Sequence, residues 1–180
     1  MKAIVIILFP FFCLLLSFFV LITDSSFTYL LLDNPESIQP TKQLLQYFIG
    51  QAEIPEVFDQ VEKSHLADVK QIIQYSFILL AIFTLILAIC MKNNWRQIIR
   101  RGTLLLFALV FFAAIIPFDR LFTWFHQILF PQGNWMFPAT STIITFYPLK
   151  FFVGYSIAIA LHSVVIAATL NFFEIVSRRG

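Results

Sequence analysis

Four long apolar stretches, separated by polar segments of very different length, dominate the hydrophobic pattern of this chain. About 20 consecutive apolar residues form a helix long enough to cross the ~30 Å hydrocarbon core of a bilayer. The third stretch, of about 16 residues, is short for a crossing, but residues 121–125 are expected to extend its apolar length. We therefore predict membrane-spanning helices over residues 3–22, 72–91, 103–118 and 151–175.

The composition agrees with a membrane environment. Of 180 residues, 59% are hydrophobic and only 12% are charged, and there are 23 phenylalanines. A soluble domain of this size cannot bury so much apolar surface. The two cysteines, Cys13 and Cys90, lie in or at the edge of apolar stretches, so they are expected to be packing residues and not a disulfide pair.

The first apolar stretch is predicted to be a retained helix and not a cleaved signal peptide. It is too long for the hydrophobic region of a signal peptide, and the sequence FVLITDSSF that ends it has no small-x-small cleavage pattern. Pro10 lies within this stretch, where neighbouring helices tolerate a kink.

The distribution of basic residues predicts the topology. Short segments at the termini and between the second and third spans, the latter predicted as a loop over residues 92–102, hold Lys2, Lys92, Arg96, Arg100, Arg101, Arg178 and Arg179. Because basic residues near span ends stay in the cytoplasm, both termini are expected there. The polar segments 24–71 and 119–150 then lie outside. The predicted fold is an all-α membrane protein, one domain over residues 1–180, with four transmembrane helices and an extracytoplasmic helical cap.

The first outer segment contains two predicted helices. Residues 41–49 (TKQLLQYFI) form a short amphipathic helix that ends at Gly50. A second helix, starting at Glu56, is predicted to place Phe58, Val61, His65 and Val69 on its apolar face. Glu62 and Asp68 are each three residues from the histidine and within helical reach of it.

The second outer segment carries His126 in an aromatic sequence. Residues 121–130 are predicted to form a short helix that is apolar nearly all round, which suits the membrane boundary or a buried lid. A single histidine on such a face is more often a packing residue than a catalytic one. Two histidines, His65 and His126, on the same side of the membrane favour a common proton-transfer site, because imidazole titrates near neutral pH.

Other interpretations of the histidines stay open from the residues alone. His65, His126 and an acidic residue would suit zinc, although no HExxH motif supports a metal site. A non-catalytic membrane subunit or regulator with structural histidines is the second alternative. His162, near the middle of the fourth span, is expected to be a neutral imidazole hydrogen-bonded to a neighbouring helix, with a functional role as the alternative.

Two sequence segments resemble a known family. EKSHLADVK and WFHQILFPQGNWMFPATSTIITFYPLKFF are similar to motifs of the bacterial lipoprotein intramolecular transacylase family. The resemblance implies four helices with an extracytoplasmic cap, a location in the bacterial cell membrane, and two reactive histidines at the positions of His65 and His126. Phe137 and Ser141 stand where relatives often have aspartate, so the supporting carboxylates are expected to differ.

The resemblance also implies a reaction and its partners. Family members move the sn-2 acyl chain of a diacylglyceryl lipoprotein to the α-amine of its N-terminal cysteine, which gives a lyso-form lipoprotein without a cofactor. The expected partners are this lipoprotein and membrane lipid, with no nucleic acid. His65 is expected to be the base, oriented by Glu62 or Asp68, and His126 to polarise the ester or return the proton, with the reverse assignment open. The residues expected to bind or position substrate are Glu62, Asp68, Arg120, Trp124, Phe125, Trp135 and Tyr147.

Overall fold

The computed structural model describes residues 2–176, without the side chains of Lys2 and residues 91–93. Every regular element in this part of the chain is helical. The long helices are α1 (Lys2–Thr23), α4 (Gln60–Ile115) and α7 (Leu149–Val176), and the short ones are α2 (Ser25–Leu30), α3 (Ile38–Phe48), α5 (Phe118–Leu129) and α6 (Thr142–Phe146), with a single 3-10 turn over Pro35–Ser37.

Within the described residues, four helical stretches are long and apolar enough to cross a membrane. They are Ala3–Thr23, Gln60–Cys90, Asn94–Ile115 and Leu149–Val176. The all-α class with four apolar membrane helices is therefore confirmed. Arg178 and Arg179, on which the predicted topology partly depends, lie outside the described residues, as do the side chains of Lys2 and Lys92.

The second and third of these stretches belong to one continuous helical element, where the sequence predicted a loop over residues 92–102. A straight helix of the 56 residues of α4 would be about 84 Å long. However, His65 near its start lies beside His126, which follows its end. α4 must therefore reverse direction between its two apolar stretches, Gln60–Cys90 and Asn94–Ile115. The sequence KNNWRQIIRRG lacks proline and has its only glycine at the end, which is consistent with continued helical structure.

The chain forms two compact units. The first consists of the residues up to Val20, Ser76–Ile116 and the residues from Ile157 onward. Its core contains Phe9, Cys13, Leu106 and Ala167, all essentially inaccessible to solvent. Phe9 packs directly on Gly102, where a Cβ would lie 2.5 Å from the ring. The glycine therefore allows α1 and α4 to approach closely.

The second unit consists of Leu21–Tyr75 and Pro117–Ser156 and contains all four short helices. Its core includes Leu44, Phe58, Leu66 and Phe146. Asp24 caps α2 by accepting hydrogen bonds from the amides of Ser26 and Phe27. Pro117 precedes α5, so the break that the sequence predicted near this proline is present.

The start of α4 is set by a reciprocal cap. The Glu62 amide donates to Asp59 Oδ1 at 2.8 Å, and the Asp59 amide donates to Glu62 Oε2 at 2.9 Å. This capping box provides acceptors for two amides that the helix itself cannot satisfy. The helix consequently begins at Gln60 and not at Glu56.

Candidate active site

His65 of α4 and His126 of α5 lie together in the second unit. Their ring centroids are 6.1 Å apart and the ring planes are inclined by only 28°. The two side chains are 6% and 8% exposed. The structure thus brings together the two histidines that the sequence singled out, although 60 residues separate them along the chain.

Aromatic side chains enclose this histidine pair. Phe130 contacts both rings, with centroid distances of 4.6 Å to His65 and 5.4 Å to His126. The other rings around the pair are Phe122, Phe125, Trp135 and Phe137. Such a lining lowers the local polarity and suits acyl chains better than water, since it presents ring faces and edges with few polar atoms.

The backbone determines the tautomer of His126. Its Nδ1 lies 2.8 Å from the carbonyl oxygen of Phe122, one helical turn earlier. A carbonyl oxygen can only accept a hydrogen bond, so Nδ1 carries the proton and donates it. Nε2 of the neutral ring therefore holds the free lone pair. Burial lowers the pKa of His126 below its ordinary value, and the Phe122 hydrogen bond opposes this in part.

His65 has a different polar environment. Its Nδ1 is buried and makes no hydrogen bond to the described residues. The neighbouring Asn134 donates from Nδ2 to Asp68 Oδ2 at 2.6 Å, and Gln132 donates to the same oxygen at 2.8 Å. Asp68, predicted to orient His65 directly, is thus engaged with the loop that follows α5.

Glu62 is used by the backbone. It is 1% exposed, and its two carboxylate oxygens accept from the amides of Asp59 and Ile143. The second of these bonds connects the start of α4 to the start of α6 at 2.8 Å. The structure therefore gives Glu62 a structural position, in place of the predicted role beside His65.

The predicted apolar face of α4 is partly wrong. Val61 is 58% exposed, whereas the buried side chains of this turn are Phe58, Glu62, His65 and Leu66. The pattern of apolar residues misassigned the face because a buried glutamate replaces an apolar side chain. The carboxylate is tolerated there because both of its oxygens accept hydrogen bonds from backbone amides.

The remaining predicted site residues divide into three groups. Phe125 and Trp135 contact the His126 ring at centroid distances of 5.4 Å and 5.0 Å. Arg120 and Trp124 are exposed on α5. Tyr147 is buried away from the histidine rings among Phe146 and Phe151, and its hydroxyl bonds Thr41 at 2.8 Å. Burial raises the pKa of Tyr147 to about 12.

Phe137 and Ser141, the positions where the resemblance led us to expect aspartate in relatives, lie in different environments. Phe137 places its ring 5.5 Å from His65, in edge contact with it. Ser141 precedes α6, and its hydroxyl is buried without a hydrogen-bond partner among the described residues. An aromatic ring, and not a carboxylate, therefore contacts His65 at position 137.

The described residues show no third metal ligand, and one ring nitrogen of His162 lacks a partner among them. No group of three His, Cys, Asp or Glu side chains within residues 2–176 has the arrangement of a metal site. His162 lies on α7, and its buried Nδ1 has no hydrogen bond to the residues that the structure describes. The predicted hydrogen bond from this nitrogen to a neighbouring helix is therefore absent at that atom.

The sequence interpretation missed three members of the site. Phe122 and Phe130 lie four residues on either side of His126, a spacing that puts them on its helical face. Phe130 had not been connected with His65, which it also contacts. Asn134 adjoins Trp135 in the quoted motif, but nothing in the sequence shows that it bonds Asp68.

Comparison with known proteins assigns the family. The family described as lipoprotein intramolecular transacylase Lit matches residues 3–152. In structure, the chain is similar to the membrane integral lipoprotein intramolecular transacylase Lit from Bacillus cereus, with a TM-score of 0.74 and 18% identity over 99% of this chain and 95% of that one. A search of curated protein sequences gives no match.

A second structure of the Bacillus cereus protein, in which a histidine is replaced by arginine, is also similar. Its TM-score is 0.72, with 20% identity over 99% of this chain and 92% of that one. A third, with alanine in place of histidine, gives a TM-score of 0.71 and 21% identity. These TM-scores establish a common fold, and the family match covers most of the chain. This chain belongs to the lipoprotein intramolecular transacylase family of integral membrane acyltransferases.

Proposed function

We propose that this protein moves the sn-2 acyl chain of a diacylglyceryl lipoprotein onto the α-amine of the lipoprotein's own N-terminal cysteine. The observation that carries the proposal is the buried, nearly parallel pair of His65 and His126 inside an aromatic enclosure. The family match supports a lipoprotein as the substrate. Acyl chains and a glyceryl group match the apolar lining of the site, while the two imidazoles supply its proton-transfer groups.

The reaction needs two proton movements, and the site offers two imidazoles. In the proposed mechanism, His65 first takes a proton from the cysteine ammonium, whose ordinary pKa is near 8. The amine nitrogen then attacks the ester carbonyl, so a C–N bond forms and the C–O bond to glycerol breaks. His126 takes the second proton at Nε2 and delivers it to the departing glyceryl oxygen. The remaining proton stays on the amide nitrogen, and the first proton is released to solvent.

Positioning accounts for a large part of the rate in this proposal. The donor ester and acceptor amine belong to one molecule, so the protein has to hold a folded conformer in which they meet. Correct orientation of two reacting groups is worth about 7–11 kcal/mol of activation free energy. The rigid aromatic walls formed by Phe130, Trp135 and their neighbours are suited to this task, because few of their bonds rotate.

The test is mass spectrometry of a synthetic diacylated lipopeptide incubated with the purified protein. The expected product has the same mass but carries one chain on nitrogen and one on glycerol, which fragmentation distinguishes. His65→Gln and His126→Asn serve as comparison variants. An unchanged lipopeptide with well-folded wild-type protein contradicts the proposed function.

We also propose that the protein lies in the bacterial cytoplasmic membrane with both termini in the cytoplasm and the histidine site at the outer face. The basic residues Arg96, Arg100 and Arg101 between the second and third apolar stretches support this orientation. Fusion of alkaline phosphatase to the C-terminus should give no activity in cells, whereas fusion after Gly50 should be active. The opposite result contradicts the proposed orientation.

A further inference from the structure

Two unpaired polar atoms occur on neighbouring side chains at the histidine site. Nδ1 of His65 and Oδ1 of Asn134 are both buried and have no hydrogen-bond partner among the described residues. A neutral imidazole has one N–H donor, and an amide oxygen is an acceptor. Leaving both atoms unpaired at a buried position costs free energy that a mutual hydrogen bond would recover.

The orientation of the Asn134 amide is fixed independently. Its Nδ2 lies 2.6 Å from Asp68 Oδ2, and a carboxylate oxygen can only accept. The nitrogen of the amide therefore faces Asp68, and Oδ1 must be the other end of the group. Gln132 donates to the same carboxylate oxygen, which holds it in place. Nδ2 also lies 3.5 Å from Oγ of Ser64, so the Asn134 amide lies beside the turn of α4 that carries His65.

Carboxylates that could act on His65 directly are otherwise engaged. Glu62, one turn earlier, has both oxygens on backbone amides. Phe137 contributes only a ring edge. The loop 130–137 contains no titratable side chain. Asp68 acting through Asn134 is thus the connection from a carboxylate to this histidine that the geometry supports.

We propose that Asn134 is a positioning residue whose amide, anchored by Asp68, accepts the Nδ1 proton of His65 and so holds its Nε2 unprotonated. Nε2 of His65 then matches Nε2 of His126, whose tautomer is set by the Phe122 carbonyl. Both histidines present a free lone pair to the reacting groups. The inference rests on the proposed function for its catalytic meaning, but the tautomer itself exists without substrate.

The first test reads the tautomer directly. Nitrogen-15 NMR of protein labelled at histidine, at neutral pH and without substrate, should show His65 with a protonated Nδ1 and an unprotonated Nε2. Asn134→Ala should mix the tautomers, and Gln132→Ala, which leaves the contact between Asn134 and Asp68 intact, should not. A wild-type His65 protonated at Nε2, or a tautomer unchanged in Asn134→Ala, overturns the proposal. Neither result bears on whether the protein transfers acyl chains.

The second test is a double-mutant comparison of the transacylation rate. Asn134→Ala should lower kcat roughly 10–100-fold, as loss of the partners that orient reactive histidines does elsewhere, and leave KM unchanged. Asp68→Ala should also lower kcat, and the double variant should be no slower than Asn134→Ala alone. Independent, multiplying losses overturn the proposal. If Asn134→Ala does not fold, the wild-type tautomer still decides the matter. If wild-type protein shows the expected tautomer but transfers nothing, the proposed function fails instead.

Discussion

At His126, the backbone decides which ring nitrogen is free for chemistry. Nδ1 donates to the Phe122 carbonyl four residues earlier, which leaves the free lone pair on Nε2. The Phe122 carbonyl lies one helical turn before His126, so this hydrogen bond is local to α5. The sequence predicted a reactive histidine here, but which tautomer is present follows only from the contact.

Replacing His126 by asparagine tests the role of Nε2. The asparagine amide can keep a donor at the position of Nδ1 and bond the Phe122 carbonyl, while it removes Nε2. We expect a folded protein with a melting temperature near wild type and a transacylation rate at least ~100-fold lower. Thermal unfolding in detergent and product mass spectrometry check both parts. Full activity in His126→Asn contradicts a proton-transfer role for Nε2.

The pH dependence of stability provides a second prediction for this residue. Burial lowers the pKa of His126 in the folded state. The unfolded chain, with an imidazole pKa near 6.5, therefore binds the proton more readily. The contribution of His126 to stability is fully present above about pH 6.5, the pKa of the unfolded imidazole. It is lost as the pH falls through the lower pKa that His126 has in the folded protein. Melting temperatures measured across this range should fall on acidification, and less so in His126→Asn. An identical slope in both proteins contradicts the prediction.

At the scale of elements, Glu62 joins two helix starts. Its carboxylate accepts from the Asp59 amide at the beginning of α4 and from the Ile143 amide near the beginning of α6. Asp59 followed three residues later by Glu62 is a helix-start signal in the sequence, although the predicted start was Glu56. The bond to Ile143 could not be predicted from the sequence, because its two partners are 81 positions apart.

Glu62→Ala should lower stability substantially. The Asp59 and Ile143 amides lose their acceptor, and a buried unsatisfied amide costs about 1–3 kcal/mol. Glu56→Ala is the matched control. Among the described residues, the 93% exposed Glu56 side chain has an ion pair only with Lys63, at the surface. The melting temperature of this variant should therefore be almost unchanged. Equal melting temperatures for the two variants would disprove the structural role of Glu62.

A kinetic measurement separates this role from substrate binding. If Glu62 acts only through the fold, Glu62→Gln at a temperature where it is folded should keep a KM close to wild type. The glutamine side chain keeps one carbonyl oxygen, which still accepts a hydrogen bond from one of the two backbone amides, Asp59 or Ile143. A large rise in KM with unchanged stability would return Glu62 to the substrate-binding group.

At the scale of the whole molecule, close helix packing in the first unit depends on Gly102. A Cβ at this position would lie 2.5 Å from Phe9 Cδ1 and 2.8 Å from its Cβ, so the ring cannot simply turn away. At Gly154, by contrast, the nearest atom is Leu31 Cδ2, the end of a flexible side chain at 2.8 Å. Both positions are in the interior of helices, where glycine itself is unfavourable.

Gly102→Ala should therefore destabilise the protein more than Gly154→Ala. Overpacking at a rigid contact costs about 1–3 kcal/mol, whereas the Leu31 side chain can move. Melting temperatures in one detergent provide the comparison. A higher melting temperature for Gly102→Ala than for Gly154→Ala contradicts the assigned contact with Phe9.

The sequence alone determined the features that depend on local composition and period. Four apolar stretches long enough to span a bilayer required a membrane protein, and Pro117 required a helix break. The two histidines were identified because polar, titratable residues in apolar surroundings are rare. The similarity of the motifs to a transacylase family agreed with the later family match.

Tertiary structure alone decided which groups are partners. α4 continues through residues that were predicted to form a loop. Glu62 is buried where Val61 was expected to be. Asn134 bonds Asp68, which is distant from it in sequence. A hydrogen bond is formed only where donor and acceptor meet within about 3 Å and in the right direction. Periodicity specifies the face of a helix, but only the packed fold fixes what that face meets.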